Sequence, residues 1–219
     1  MNALNPLRSL ERFARPPRAT ARGGRTTCEI CAAPAGEPHR HVLDLQRRAL
    51  ACACGACATL FVDAGAGGGR FRTVPDRVRY DPAFAPTAEE WAALGVPVRL
   101  AFLVREGVSR RWTAFLPGAA GAVEAELSPA AAEALVARTP LAPAAEPDVE
   151  ALLVHGGRGA ARLECLLVPV SACYELAGHI RRSWQGFDGG DAVRREIDAT
   201  FQALRGRARP LAGRRGRSP

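Results

Sequence analysis

Two pairs of cysteines stand at a spacing that metal ions select: Cys28-Glu-Ile-Cys31 and Cys54-Gly-Ala-Cys57, with 22 residues between Cys31 and Cys54. Each Cys-x-x-Cys segment can fold as a knuckle that aims two thiolates at one point, and two knuckles complete a tetrahedron of sulfur. The spacing is slightly longer than that of most zinc ribbons but of the same kind. Four thiolates also suit iron, in a rubredoxin-like centre or an iron–sulfur cluster. Rubredoxin-type knuckles usually place glycine after each second cysteine; Ala32 and Ala58 hold those places here, which favours zinc. The expected ligands are therefore Cys28, Cys31, Cys54 and Cys57.

Three neighbours complicate that set. Cys52 lies two residues before Cys54, so on a continuous strand both point to one face and either could be the third ligand. His39 and His41 are spaced in the same way, and one of them could ligate or cover the metal. The plainer reading of each histidine is a surface or supporting side chain. Elsewhere, Cys165 falls in an apolar strand and Cys173 in the first turn of a helix, where a thiol can be acidified, although buried small hydrophobes are the default. His155 and His179 are expected to do nothing chemical. Residues 184–190 hold Trp184, Phe187 and three glycines; they could bind an anion or a partner, but a packed connection between helices is simpler. Residues 63–69 are glycine-rich without the Gly-Lys-Ser/Thr ending of a phosphate loop. No catalytic constellation emerges.

The elements that must position these groups follow from pattern. Residues 42–45 and 48–53 read as strands between the knuckles. A segment of about 35 residues cannot build an adequate core alone, so a metal would supply the missing stability. Beyond the glycine run, residues 72–79 read as a strand. Thr87-Ala-Glu-Glu90 is a capping box that opens a short helix carrying Trp91 and Leu94. Residues 96–105 and 111–116 form a hairpin across Gly107, and 123–127 adds a third strand. Ser128-Pro129 starts a helix over 129–138, and 140–147 is a proline-rich crossing. Residues 149–155 and 162–170 form a second hairpin through Gly156, Gly157 and Gly159. Ser171 then caps a helix with Tyr174, Leu176, Ala177 and Ile180 on its face. A last helix over 192–204 sets Val193, Ile197, Phe201 and Leu204 at helical spacing. The predicted fold is α+β: a small N-terminal zinc-ribbon-like cysteine module, then a largely antiparallel sheet with helices packed on one face. The expected division is a basic tail over 1–25, the metal module over 26–62, the α+β domain over 71–204 and a basic disordered tail over 205–219.

Composition narrows the function classes. The chain has 219 residues and a formal charge of +8; all 30 of its cations are arginine, and 43 residues are alanine. That bias reflects a GC-rich coding sequence. Residues 1–25 hold six Arg and one Glu, and 205–219 hold six Arg and no acid, so the remaining body carries 18 Arg against 21 acids. A basic total over an acidic body, with no basic–aromatic stripe, argues against nucleic acid as the main partner. Leu4, Leu7, Leu10 and Phe13 could form a short amphipathic helix that docks on a protein surface. No stretch reaches the roughly 18 apolar residues of a membrane span, no secretory h-region opens the chain, and odd, clustered cysteines fit a reducing compartment. A cytoplasmic protein is expected.

The order CEIC, HRHVLDL, RRALACACGACATLF, PDVEALLV and LVPVSACYELAGHIRRSWQGFDGG, followed by a closing helix, resembles an uncharacterised actinobacterial family. The resemblance spans about residues 7–204. That family is a domain of unknown function associated with nickel–iron hydrogenase gene clusters. The resemblance implies an accessory protein whose partner is a hydrogenase subunit or maturation factor. The alternatives are a small rubredoxin-like electron carrier with iron on the same thiolates, and a zinc ribbon that binds nucleic acid through the arginine-rich tails.

Overall fold

The computed structural model describes residues 26–157, 159–186 and 188–211; the expected amphipathic helix around Leu4–Phe13 lies outside them. Two antiparallel sheets organise these residues. The small one has the order β2-β1-β3, from Arg40–Asp44 (β1), Ala49–Ala53 (β2) and Phe71–Thr73 (β3). The large one has seven strands in the order β10-β4-β9-β8-β5-β6-β7. They are Arg79–Tyr80 (β4), Leu100–Arg105 (β5), Trp112–Gly118 (β6), Gly121–Ala125 (β7), Glu150–His155 (β8), Glu164–Pro169 (β9) and Arg209–Pro210 (β10). Every pairing is antiparallel except that of β10 with β4. The two expected hairpins are β5–β6 and β8–β9, and β5 with β8 joins them.

Helices cover both faces of the large sheet, where packing on one face was expected. Phe102, Val104, Ala151, Leu153, Leu166 and Val168 share a core with Val170–Ser183 (α5) and Gly190–Arg207 (α6) through Cys173, Leu176, Ile180, Val193, Phe201 and Leu204. The alternate residues Ala101, Leu103, Leu152, Val154, Cys165 and Leu167 face the other way. They meet Ala88–Ala93 (α2), Pro129–Val136 (α3) and Leu141–Ala144 (α4) through Trp91, Ala132, Leu135, Leu141 and Ala142. The runs LAFLV, ALLV and CLLV lack the apolar–polar alternation of a half-exposed strand, and burial on both faces is what such runs require.

Local signals place some boundaries; Ser171, expected to cap α5, instead lies buried inside that helix, whose N-cap is Pro169. Thr87 Oγ1 accepts from Glu90 N–H at 3.2 Å and the Glu90 carboxylate accepts from Thr87 N–H at 2.8 Å, completing the capping box of α2. The 72–79 strand divides into β3 and β4, which pair in different sheets. In the connection between α5 and α6, Trp184 Nε1 donates to Gly186 O at 3.0 Å, and Gln185 bridges to Gly189. Gly189 has φ +85°, and a Cβ there would stand 3.1 Å from Val193 Cγ2, so only glycine turns the chain into α6 without strain.

Glu150, wholly buried at the start of β8, receives Arg77 Nε and Nη2 at 2.7 Å each and the Glu146 amide at 2.9 Å. Arg77 and Arg72 also reach Glu146, at 3.2 and 3.5 Å, so the segment carrying β3 and β4 is tied to the α4–β8 connection. Removing the guanidinium would leave a buried carboxylate without its counter-ion. Arg77→Ala is expected to cost about 3 kcal/mol, the lower end for such a pair, because the Arg77 side chain keeps 38% of its surface in water. Urea denaturation measures it; a loss under about 1 kcal/mol would mean that water already carries the pair.

Candidate metal centre

The first knuckle is closed by backbone bonds: Cys28 N–H donates to Ala33 O and Ala32 N–H to Cys28 O, both at 2.8 Å. Ala32 adopts φ +61°, the left-handed conformation for which glycine is the usual choice. The second knuckle is built differently. Cys54 is the N-cap of a short helix, Gly55–Thr59 (α1), and its Sγ accepts from Cys57 N–H at 3.5 Å. Thr73 on β3 seats that helix by donating its hydroxyl to Ala58 O and its amide to Phe61 O. Beneath it Phe61 and Phe71 pack with ring centroids 5.3 Å apart, and the missing Cβ of Gly67 leaves room for both rings.

The sulfurs of Cys28, Cys31, Cys54 and Cys57 all lie within 4.8 Å of one another and could hold a metal ion. Cys31 Sγ and Cys54 Sγ are 3.8 Å apart. Four sulfurs about 2.3 Å from one tetrahedral ion stand about 3.8 Å from each other, so this pair already has the separation that such an ion imposes. Cys28 and Cys57 are buried, Cys54 is intermediate and Cys31 is exposed, so the cluster opens on the Cys31 side. Backbone hydrogen bonds from Cys54, and then Cys31 and Ile30, outweigh burial and lower the Cys28 thiol to about 6. Hydrogen bonding to Cys31 and burial push Cys57 up to about 12. A thiolate is the form that coordinates metal.

Cys52, His39 and His41 do not join this cluster; they form a second group, also with donor atoms within 4.8 Å of one another. The register explains the separation. His41 pairs directly with Cys52 and Leu43 with Leu50, while Val42 pairs with Ala51. Side chains alternate along a strand, so Cys52 stands on the face opposite Ala53, which packs with Val42 and Cys28. Cys54 has already left the strand. Sequence reasoning that continued the strand to Cys54 put the two thiols on one face; the helix cap at Cys54 breaks that parity. Burial, then the neighbouring His39, lowers the His41 imidazole below its ordinary value.

Cys165, Cys173, His155 and His179 belong to neither group. Cys165 and Cys173 are 5% and 0% exposed, and burial pushes both thiols up. His155 packs on the Phe201 ring, and His179 Nδ1 lies 3.0 Å from a Glu196 carboxylate oxygen. Among the described residues no helix is long and apolar enough to cross a membrane.

Residues 27–208 match a family described as a family of unknown function (DUF5947), and the chain belongs to that family. No curated protein and no solved structure gives a match.

The small sheet has its own electrostatic anchor. Asp44 Oδ2 receives Arg70 Nη2 at 2.6 Å and Nε at 3.1 Å, while Oδ1 receives the amides of Gln46 and Arg47 at 3.1 Å. The Arg70 guanidinium holds the Asp44 carboxyl at about 2. A carboxyl lowered on folding stabilises fully above its unfolded value, about 3.9, and that contribution is lost as pH falls through the folded value. Asp44→Asn should therefore flatten the fall of unfolding free energy between about pH 4 and pH 2, measured by denaturant titration at several pH values. Equal slopes in the two proteins would remove Asp44 from the acid response.

Proposed function

We propose that this member of the DUF5947 family is a cytoplasmic zinc-binding accessory protein that acts through protein–protein contacts, with Cys28, Cys31, Cys54 and Cys57 as the zinc ligands. Its proposed partner is a nickel–iron hydrogenase subunit or maturation factor. The observation that carries the metal reading is the convergence of four thiols, with one pair already 3.8 Å apart and the Cys57 amide directed at the Cys54 sulfur. The local core supports a structural role: its buried members are Cys28, Ala35, Val42, Ala53, Cys57 and Ala58, too little apolar surface to hold two knuckles together. A structural zinc supplies roughly 10–16 kcal/mol in such modules.

What supports a protein partner is the surface beside the thiols. Ile30, between the first two cysteines, is 42% exposed, and Leu60 and Val62, just after α1, are 64% and 58% exposed. Large apolar side chains at that exposure, next to a rigid centre, are what a partner would cover. The hydrogenase connection rests on the resemblance of the family motifs to a family found in hydrogenase gene clusters.

Iron at the same thiolates is the second reading. The observation favouring it is that Ala32 takes the left-handed turn despite its Cβ, which gives the first knuckle the shape glycine provides in rubredoxin-type sites, while Cys31 is open to a redox partner. Protein purified without nickel resin and dialysed against EDTA should retain one tightly held, colourless zinc, by elemental analysis and visible spectroscopy. Retention of coloured iron would replace the accessory reading with electron transfer. Cys28→Ser and Cys57→Ser should each abolish that retention and lower the thermal stability of the whole chain by circular dichroism, because Leu43, Leu45 and Leu50 of the module pack in the α5–α6 core. Affinity capture from native cells should recover a hydrogenase-related protein; repeated recovery of the chain alone would overturn the partner assignment.

A further inference from the structure

We propose that His39, His41 and Cys52 form a second metal site, distinct from the four-thiol centre, which binds a zinc-like transition-metal ion with one coordination position left open. Two imidazoles and a thiol have their donor atoms within 4.8 Å of one another. Two contacts fix the geometry: His41 and Cys52 are directly paired across β1 and β2, and His39 and His41 pack edge to face with ring centroids 4.8 Å apart. A tetrahedral ion about 2.0–2.3 Å from each donor needs them roughly 3.3–3.6 Å apart, a closure that side-chain rotation supplies while the strand pairing stays intact.

Donor chemistry selects the ion. Imidazole nitrogen with thiolate suits zinc, copper, nickel or cobalt rather than magnesium or calcium, which take oxygen. Three protein ligands plus an exchangeable fourth is the pattern of an open site; four protein thiolates make a closed one. Both histidines line a cavity of about 560 Å³, which Ser171 and Glu175 of α5 and Arg207 of α6 also line. All three donor residues are partly exposed. The fourth position thus faces the solvent-filled cavity that Glu175 also lines, where an exchangeable water would complete the shell.

The two sites are neighbours that share no ligand. Glu29, beside Cys28, donates its amide to Cys52 O at 2.8 Å and accepts the Cys52 amide on its carboxylate at 2.6 Å. The backbone of Cys52 is therefore fastened to the first knuckle while its thiol points to the histidines.

The test is a titration of the full chain with Co²⁺ after dialysis against EDTA, which leaves only tightly held metal in place. A further equivalent should bind, with the absorption of a cobalt site carrying a single thiolate. Cys52→Ser should remove the thiolate band, and His39→Asn and His41→Asn should each weaken binding at least tenfold. His39 precedes β1, so its substitution should leave the sheet intact, and retention of the EDTA-resistant metal verifies this in every variant. Absence of a further equivalent in the parent chain, or unchanged binding in the three variants, would overturn the site. If the histidine-dependent equivalent persists but the EDTA-resistant metal is iron, the functional reading fails and the second site stands.

Discussion

A single strand, β1, serves as a wall common to two cores, and the period of two along it decides which core receives each side chain. Val42 points to the cysteine cluster with Ala53 and Cys28, while Leu43 points to the main core, where Leu45 and Leu50 also pack. Because Leu43 stands opposite Leu50 and His41 opposite Cys52, the face that seals the body also carries the histidines and the spare thiol. A slip of one residue would move the leucines onto the knuckles and the histidines among the four thiols. That register is held at the turn end of the hairpin: Asp44 binds Arg70 and the turn amides, and Arg48 reaches Glu106, just after β5, and Glu124 of β7 at 3.3 and 3.2 Å.

The excess of arginine takes on a different meaning once partners are visible. Arg205 chelates Glu164, and Arg207 pairs with Asp76, so cations that sequence assigned to a basic tail belong to the body. The chain continues as helix α6 to Arg207, and β10 then lies beside β4. Arg77 neutralises a wholly buried carboxylate, and Arg70 and Arg138 face Asp44 and Glu90. A planar guanidinium is suited to such two-pronged contacts, and lysine would not replace it without loss. Part of the arginine excess is therefore internal stitching between elements far apart in sequence.

Much of this architecture was legible because it is local. The capping box at Thr87, the two hairpins, the α5 and α6 stripes and the two Cys-x-x-Cys knuckles each depend on residues within a few positions of one another. What escaped depends on distant partners. Strands β3 and β4, read together as one strand over 72–79, are two or three residues long and divide because β1 and β9 offer separate edges, and β10 exists only because β4 then offers another. Helices on both faces of the large sheet were implied by the unbroken apolar runs of β5, β8 and β9, but the short α4 lies in a stretch whose prolines suggested only a crossing. The sorting of Cys52 away from Cys54 turned on where a strand stops, and boundaries are the least legible feature of a sequence.

That boundary also explains how five cysteines can crowd into 30 positions without competing for one centre. Continuing β2 through Cys54 would set two thiols side by side on one face, and a metal could then exchange between them. Instead the chain turns into α1 at Cys54, whose sulfur caps the helix by accepting the Cys57 amide. Cys52 remains in the strand, its backbone locked to Glu29 in both directions. The same peptide segment thus directs one thiol to the knuckles and another to the histidines. The two groups are held in fixed relation by backbone hydrogen bonds, so a change in the β1–β2 ladder that disturbs one must be felt by the other.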